Sequence, residues 1–472
     1  MQNTTRSEQG LALGSASGTA DRLHRGLNSF GVLLLALSCL SPIFSIYGAG
    51  ADVLVHAGTG AAATFLLGIG AAIVWAAVYA ELGAAYPYAG GDYVGVGAIL
   101  GPWAGFACLT IWAVTAGPTI AFLAKTIAIN FAELAPAVPP TVTTFVALAA
   151  ALGVALLAVR TSALVTGLFL GLELLAVLAL VATGLWHPVR SIAEVVLHPV
   201  ALDAAGGLGS VAIGAMALAA VSAAYATAGG NQAISFGEEL TEPHRSMGRV
   251  VLLAGLAGAL ATAIPVICVV IGARDLPMVL KSPTPFSAFI TSAAGPAAGH
   301  ALSAGVIVAL FNAMIAGIMF YARLYFSLGR DRIFHPKVNA LLARVHAGSG
   351  APRGATWVVA AITAACCLLD SHVILVFISG LTVYCLALVS LAVWVGRRQG
   401  LTGQPSHWRS PLFPLAPILG LLLAATFGVA DLFDQDAGRL SLLLLGGMIA
   451  AALLWHHLVL RRREGGWAPR VE

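Results

Sequence analysis

The feature that most constrains this chain is the rarity of charge, which leaves one long apolar run after another separated by short polar connections. Only 9% of its 472 residues are charged and 59% are hydrophobic, whereas a soluble globular domain carries roughly 25% charge. Such a chain cannot clothe its surface for water. About 20 apolar residues cross a bilayer, so the sequence reads as one all-α integral membrane domain with room for about twelve transmembrane helices.

Charges, prolines and polar clusters divide it into predicted spans at 27–55, 60–81, 101–132, 141–159, 162–187, 208–237, 248–272, 297–328, 355–370, 372–396, 412–433 and 439–460. Residues 1–26 and 461–472 are then tails around a transmembrane domain at 27–460. Nineteen of the 24 Lys and Arg fall on the side of the tails, Arg190, Arg274, Lys281 and Arg439 fall on the other, and Lys125 lies within span 3. Basic residues collect on the cytoplasmic side, so both tails are expected to be cytoplasmic and the span count even. The polar, Ser/Gly-rich first 26 residues do not resemble a cleavable leader, and the apolar run after them is too long for one.

Two spans are interrupted. Span 1 contains LSPIFSIYGAG at Leu40 to Gly50, where Pro42 removes a backbone donor and Gly48 and Gly50 loosen the helix beyond it. Span 6 contains YATAGGN at Tyr225 to Asn231, with Gly229 and Gly230 beside an amide side chain. Each lies in the first helix of a set of five. Interrupted hydrophobic helices at corresponding places in two halves point to the binding site of a transporter built from inverted repeats. The competing reading is a proline kink and a glycine packing contact, which leaves the correspondence unexplained.

Other function classes lack their motifs. The net charge of +4 is not gathered on a face, so no nucleic-acid partner is expected. No Gly-Lys pair exists to form a phosphate loop, and no HExxH occurs. The six cysteines all sit in apolar runs without disulfide or zinc spacing, and read as small buried hydrophobes. Neither a cofactor nor a metal is expected, and an enzyme is disfavoured.

The stretch ELGAAYPYAGGDYVGVGAILGPWAGF at Glu81 to Phe106 resembles the span 2 to span 3 signature of the amino acid–polyamine–organocation permeases. FGEELTEPHRS at Phe236 to Ser246 is similar to that superfamily's segment after span 6, and RLYFSLGRDRIFHP at Arg323 to Pro336 to its exit from span 8. The resemblance runs to about Pro352; spans 11 and 12 match in length and hydropathy only. It implies the leucine-transporter fold, five plus five inverted helices (27–187 and 208–396) with two more at 412–460, and secondary transport of amino acids or related amines. It places the small-molecule substrate between the two breaks, against Ser41, Pro42, Ile43, Phe44, Ser45 and Tyr47 in span 1, Trp112 in span 3, and Tyr225, Ala226, Thr227, Ala228, Gly229 and Asn231 in span 6. Where relatives carry a Gly-Ser-Gly-like stretch this chain has Pro42-Ile43-Phe44-Ser45. The departure resembles the branch of amine permeases and leaves recognition of an α-carboxylate open. Asn231 stands where many members are acidic, which weighs against dicationic substrates.

An ionisable group inside a span is a functional candidate, because an uncompensated charge at mid-bilayer costs at least about 2.5–3.5 kcal/mol. Glu173 is such a group, and it aligns with a span 5 lysine that resembles a proton site in some family members. A carboxyl bonded to a neighbouring helix without coupling is the other reading. Lys125 is expected to snorkel to the outer interface. Glu81, Glu238 and Glu239 are expected in ion pairs at the inner ends, with Glu239 to Arg323 as an inner gate. Sodium-coupled relatives supply span 8 hydroxyls, and the run Asn312 to Arg323 has neither Ser nor Thr. The expected protein is therefore a plasma-membrane permease for an amino acid or small amine, proton-coupled, or else an exchanger or amine permease.

Overall fold

The computed structural model describes residues 28–88, 90–156, 163–203, 206–344, 352–435, 437–462 and 467. The predicted N-terminal tail, most of the C-terminal one and the Arg160 connection lie outside the described residues. Within them helix predominates, as a chain in lipid requires, since every backbone group must bond inside its own segment. Nine helical stretches among the described residues are long and apolar enough to cross a membrane. The first, Ser29–Ala85, takes in predicted spans 1 and 2 around a turn at Gly58–Gly60. Two shorter apolar helices, Pro140–Leu156 and Arg353–Cys366, stand at predicted spans 4 and 9.

The helix Ala61–Ala85 of span 2 packs along Pro243–Gly272 of span 7, and Pro102–Leu134 of span 3 packs along Pro296–Arg330 of span 8. At 1.5 Å per residue the last two are about 50 Å long, more than a roughly 30 Å hydrocarbon layer needs, so they cross at a tilt or project beyond it. One apolar core surrounds the part of span 1 from Ile43 onward with spans 3 and 8. A second joins spans 2, 3, 7 and 10.

Both long helices begin in the same way. A short helix, Asp92–Leu100, ends at Gly101 with φ 100° and ψ 164°, and Pro102 opens span 3. Another, Pro285–Ala294, ends at Gly295 with φ 91° and ψ 166°, and Pro296 opens span 8. The positive φ is open to glycine, and proline suits the first helical position because its missing N–H would have no partner there. The predicted spans at 60–81 and 101–132 leave residues 92–100 in a connection, which the structure makes a helix. Between spans 5 and 6 the chain adds an antiparallel hairpin, Val200–Leu202 with Leu208–Ser210, which the sequence did not announce. Thr59 anchors it: its Oγ1 accepts the Val200 N–H at 2.8 Å.

Candidate substrate site

Span 1 breaks where the sequence says it should. Helix Ser29–Leu40 ends because Pro42 has no N–H to continue it. Ser41 turns the chain with φ 45° and ψ 87°, a left-handed conformation uncommon in a residue with a side chain. Its hydroxyl justifies the strain, accepting the Phe44 N–H at 3.4 Å as the cap of the new helix. The chain then runs on through a π-helical stretch, Ser45–Gly50, a form concentrated at functional sites.

Span 6 breaks after Ile213–Thr227. Ala228 is extended, Gly229 has φ 156° and ψ −7°, and Gly230–Phe236 forms a tight 3-10 segment. A Cβ on Gly229 would lie 2.4 Å from Leu40 Cδ1, and one on Gly230 would lie 2.5 Å from the Val251 carbonyl oxygen. The two interruptions therefore touch, with the last residue of the first half of span 1 seated on the bare backbone of span 6.

Glu173 of span 5 arrives at the same place. It is 1% exposed, and its Oε2 accepts the Ser41 hydroxyl at 3.1 Å. Neither interrupted stretch holds an acidic residue of its own, and a carboxyl reaches the first one from another helix. Two backbone amides at this break are also engaged within the fold. The Phe44 N–H donates to the Ser41 hydroxyl at 3.4 Å, and the Ser45 N–H donates to the Ser41 carbonyl at 3.2 Å.

The remaining expected residues divide. Phe44 packs edge-on against Phe122 of span 3 at 5.8 Å, and Tyr47 lies 5.4 Å from Phe286. Tyr225 faces Thr119 and Tyr321, two residues that sequence reasoning passed over. Pro42, Ala226 and Gly229 are buried at the breaks, and Ala228 and Asn231 are half-buried there. Thr227 is structural, because its fully buried hydroxyl lies 3.0 Å from the Gly68 carbonyl of span 2 and 2.9 Å from that of Ala223. The indole N–H of Trp112 donates to Asp92 at 2.9 Å. Tyr384 packs near Gly428 of span 11. A cavity of about 330 Å³ lined by Val114, Pro118, Ile362, Phe377 and Leu444 lies to one side of the breaks rather than between them.

Other expectations on charge are revised by partners from distant helices. Lys125 does not snorkel freely: its ammonium donates to the carbonyls of Cys367 and Leu369 at 3.2 and 2.6 Å, at the C-terminal end of the span 9 helix. No ion pair joins Glu239 to Arg323 among the described residues. Glu81 instead pairs with Arg397 of span 10, bidentate at 2.7 and 2.8 Å, with Thr402 and the Ser410 amide completing it. Beyond the break in span 1, Asp52 joins that span to His372 at the start of span 10, at 3.0 Å, with His56 alongside. Glu133 links span 3 to Ser303 of span 8 and to Thr284. Apart from Asp52 and His56, which stand four apart on one helix, nothing in the sequence spacing pairs these residues.

Interrupted helices that meet, with a buried carboxyl at one of the breaks, are the arrangement that transporters use at their binding sites. The family model described as amino acid permease matches residues 27–445, and the chain belongs to that family. The match passes Pro352, where the motif resemblance ends, and reaches into predicted span 12. Among solved structures, the manganese transporter of Eremococcus coleocola, crystallised with an aromatic bis-isothiourea substituted compound, is similar over 90% of this chain and 92% of that one, with a TM-score of 0.52. At 14% identity the likeness is one of fold. No curated protein matches the sequence at a significant level.

Proposed function

We propose that this permease carries an amino acid or small amine across the plasma membrane by alternating access and couples that movement to protons. Its architecture is twelve spans with both tails cytoplasmic, spans 1–5 and 6–10 forming inverted repeats. The recurrence of short helix, positive-φ glycine and helix-opening proline before spans 3 and 8 supports the repeat, since those helices hold the same place in each set of five. The contact between Glu173 and Ser41 carries the coupling. A buried carboxyl that is bonded to the residue bending span 1, and that forms no salt bridge among the described residues, ties proton binding to the geometry of the break.

Glu173→Gln retains the shape and removes titration. In proteoliposomes, uptake against a gradient driven by imposed pH should fall at least about tenfold while solute exchange continues. Undiminished proton-driven uptake in that variant would leave Glu173 a structural residue.

One observation favours an amine over an amino acid. The Phe44 and Ser45 amides, which a substrate carboxylate would otherwise meet, are already occupied by Ser41, and the neighbouring Glu173 carboxyl suits an ammonium. On that reading amino acid methyl esters and plain mono-amines should compete with the transported solute as well as free amino acids do. Competition only by compounds with a free carboxylate would reject it.

A further inference from the structure

We propose that Asp92, Cys108 and Cys385 form a buried site for a tetrahedral cation of the zinc(II) class, tying span 10 to span 3 and to the short helix before it. The three residues come from three elements, with Cys385 standing 277 and 293 positions from Cys108 and Asp92, yet their ligand atoms lie within 4.8 Å of one another. Both cysteines are fully buried and Asp92 is 5% exposed. This site goes beyond the transport reading and does not rest on it.

The distances fit a metal-binding set. Bond lengths of about 2.3 Å to thiolate and 2.0 Å to carboxylate oxygen imply tetrahedral edges of about 3.8 Å between two sulfurs and 3.5 Å between sulfur and oxygen. The Cys108 and Cys385 sulfurs are 3.5 Å apart, and Cys385 Sγ is 3.3 Å from Asp92 Oδ2. A cation could enter this triangle with side-chain shifts of a few tenths of an ångström. The Tyr79 hydroxyl, 3.5 Å from Cys385 Sγ, supplies a neutral fourth donor.

Charge argues in the same direction. The hydrogen-bond partners of Asp92 are the Trp112 indole and the Cys385 thiol; among the described residues no basic side chain pairs with it. A carboxylate in so dry a place needs a counter-charge, or it must hold a proton. Binding of the cation releases the two thiol protons and leaves two thiolates and a carboxylate around a double positive charge. The surplus negative charge meets the Trp112 N–H and the N-terminal end of Asp92–Leu100. Trp112 thus acts as a positioning residue that orients the carboxylate, a role that outer hydrogen bonds commonly play at metal sites.

The test uses full-length protein, reduced and chelator-stripped in detergent, with the other four cysteines changed to alanine. Titration with Co2+ should give a thiolate-to-cobalt charge-transfer band that saturates at one ion per chain and is abolished by excess Zn2+. Cys108→Ala or Cys385→Ala should remove the band, and Asp92→Asn should weaken cobalt binding at least about tenfold. In case a variant does not fold, the stripped and Zn2+-loaded parent proteins are compared by alkylation and mass spectrometry, where Zn2+ should protect Cys108 and Cys385 together. The proposal is overturned by the absence of a band while both thiols are free, by a band that survives either cysteine replacement, by equal alkylation with and without Zn2+, or by a Cys108–Cys385 disulfide in protein isolated from cells.

Discussion

Glu81 shows how much one buried charge can decide. It is 0% exposed and accepts four hydrogen bonds, two from Arg397 and one each from Thr402 and the Ser410 amide. Arg397 is fixed in turn by the Phe413 ring 4.8 Å beneath it. Removing one partner of a buried pair leaves the other charge uncompensated, at a cost of about 3–5 kcal/mol. Glu81→Gln should therefore lower the thermal unfolding midpoint in detergent clearly, and Arg397→Lys should not restore the bidentate hold. A midpoint unchanged in Glu81→Gln would mean that the pair contributes little to the fold. The sequence placed Glu81 at an inner helix end and pointed to an ion pair. It could not name Arg397, which is 316 positions away and reaches Glu81 only because spans 2 and 10 converge.

At the scale of elements, the two breaks form one device. Proline and paired glycines announced both, because their effect on a helix is local: a missing donor, a clash with the previous turn, a backbone free to take positive φ. Their mutual contact is not local. Gly229→Ala would press a methyl group into Leu40 and force a side chain onto a φ of 156°, for a penalty of about 1–3 kcal/mol. The variant should transport slowly and unfold at a lower temperature. Shortening the partner in Gly229→Ala with Leu40→Ala should recover part of the loss by removing the clash, leaving the backbone strain. Full activity of the single variant would show that the breaks do not need this close approach.

For the molecule as a whole, the loop between spans 10 and 11 folds back on the start of span 7, where the His407 ring stacks on His244 with centroids 4.3 Å apart and the Trp408 N–H donates to the His244 carbonyl at 2.9 Å. Partial burial first, and the neighbouring His244 second, hold the His407 pKa below its ordinary value of 6.5. A histidine whose folded pKa is depressed contributes stability that is present above the unfolded value and is lost as pH falls through the folded one. The unfolding midpoint should accordingly drop on acidification from about pH 7.5 to about pH 5.5, with a shallower drop in His407→Gln. An equal drop in both proteins would assign the effect to other groups.

By itself the sequence determined that this chain lives in a bilayer, that its helices are apolar nearly end to end, and that spans 1 and 6 are interrupted at Pro42 and at Gly229-Gly230. All of that comes from composition and from single-residue backbone chemistry. Tertiary structure decided which faces meet: Ser41 with Glu173, Glu81 with Arg397, Lys125 with the end of span 9, Asp92 with Cys108 and Cys385. In a soluble helix a polar face and an apolar face reveal the inside. In lipid both the buried face and the lipid-facing one are apolar, so the pattern along each span does not say which side turns inward, and only the packed bundle brings its few polar residues together.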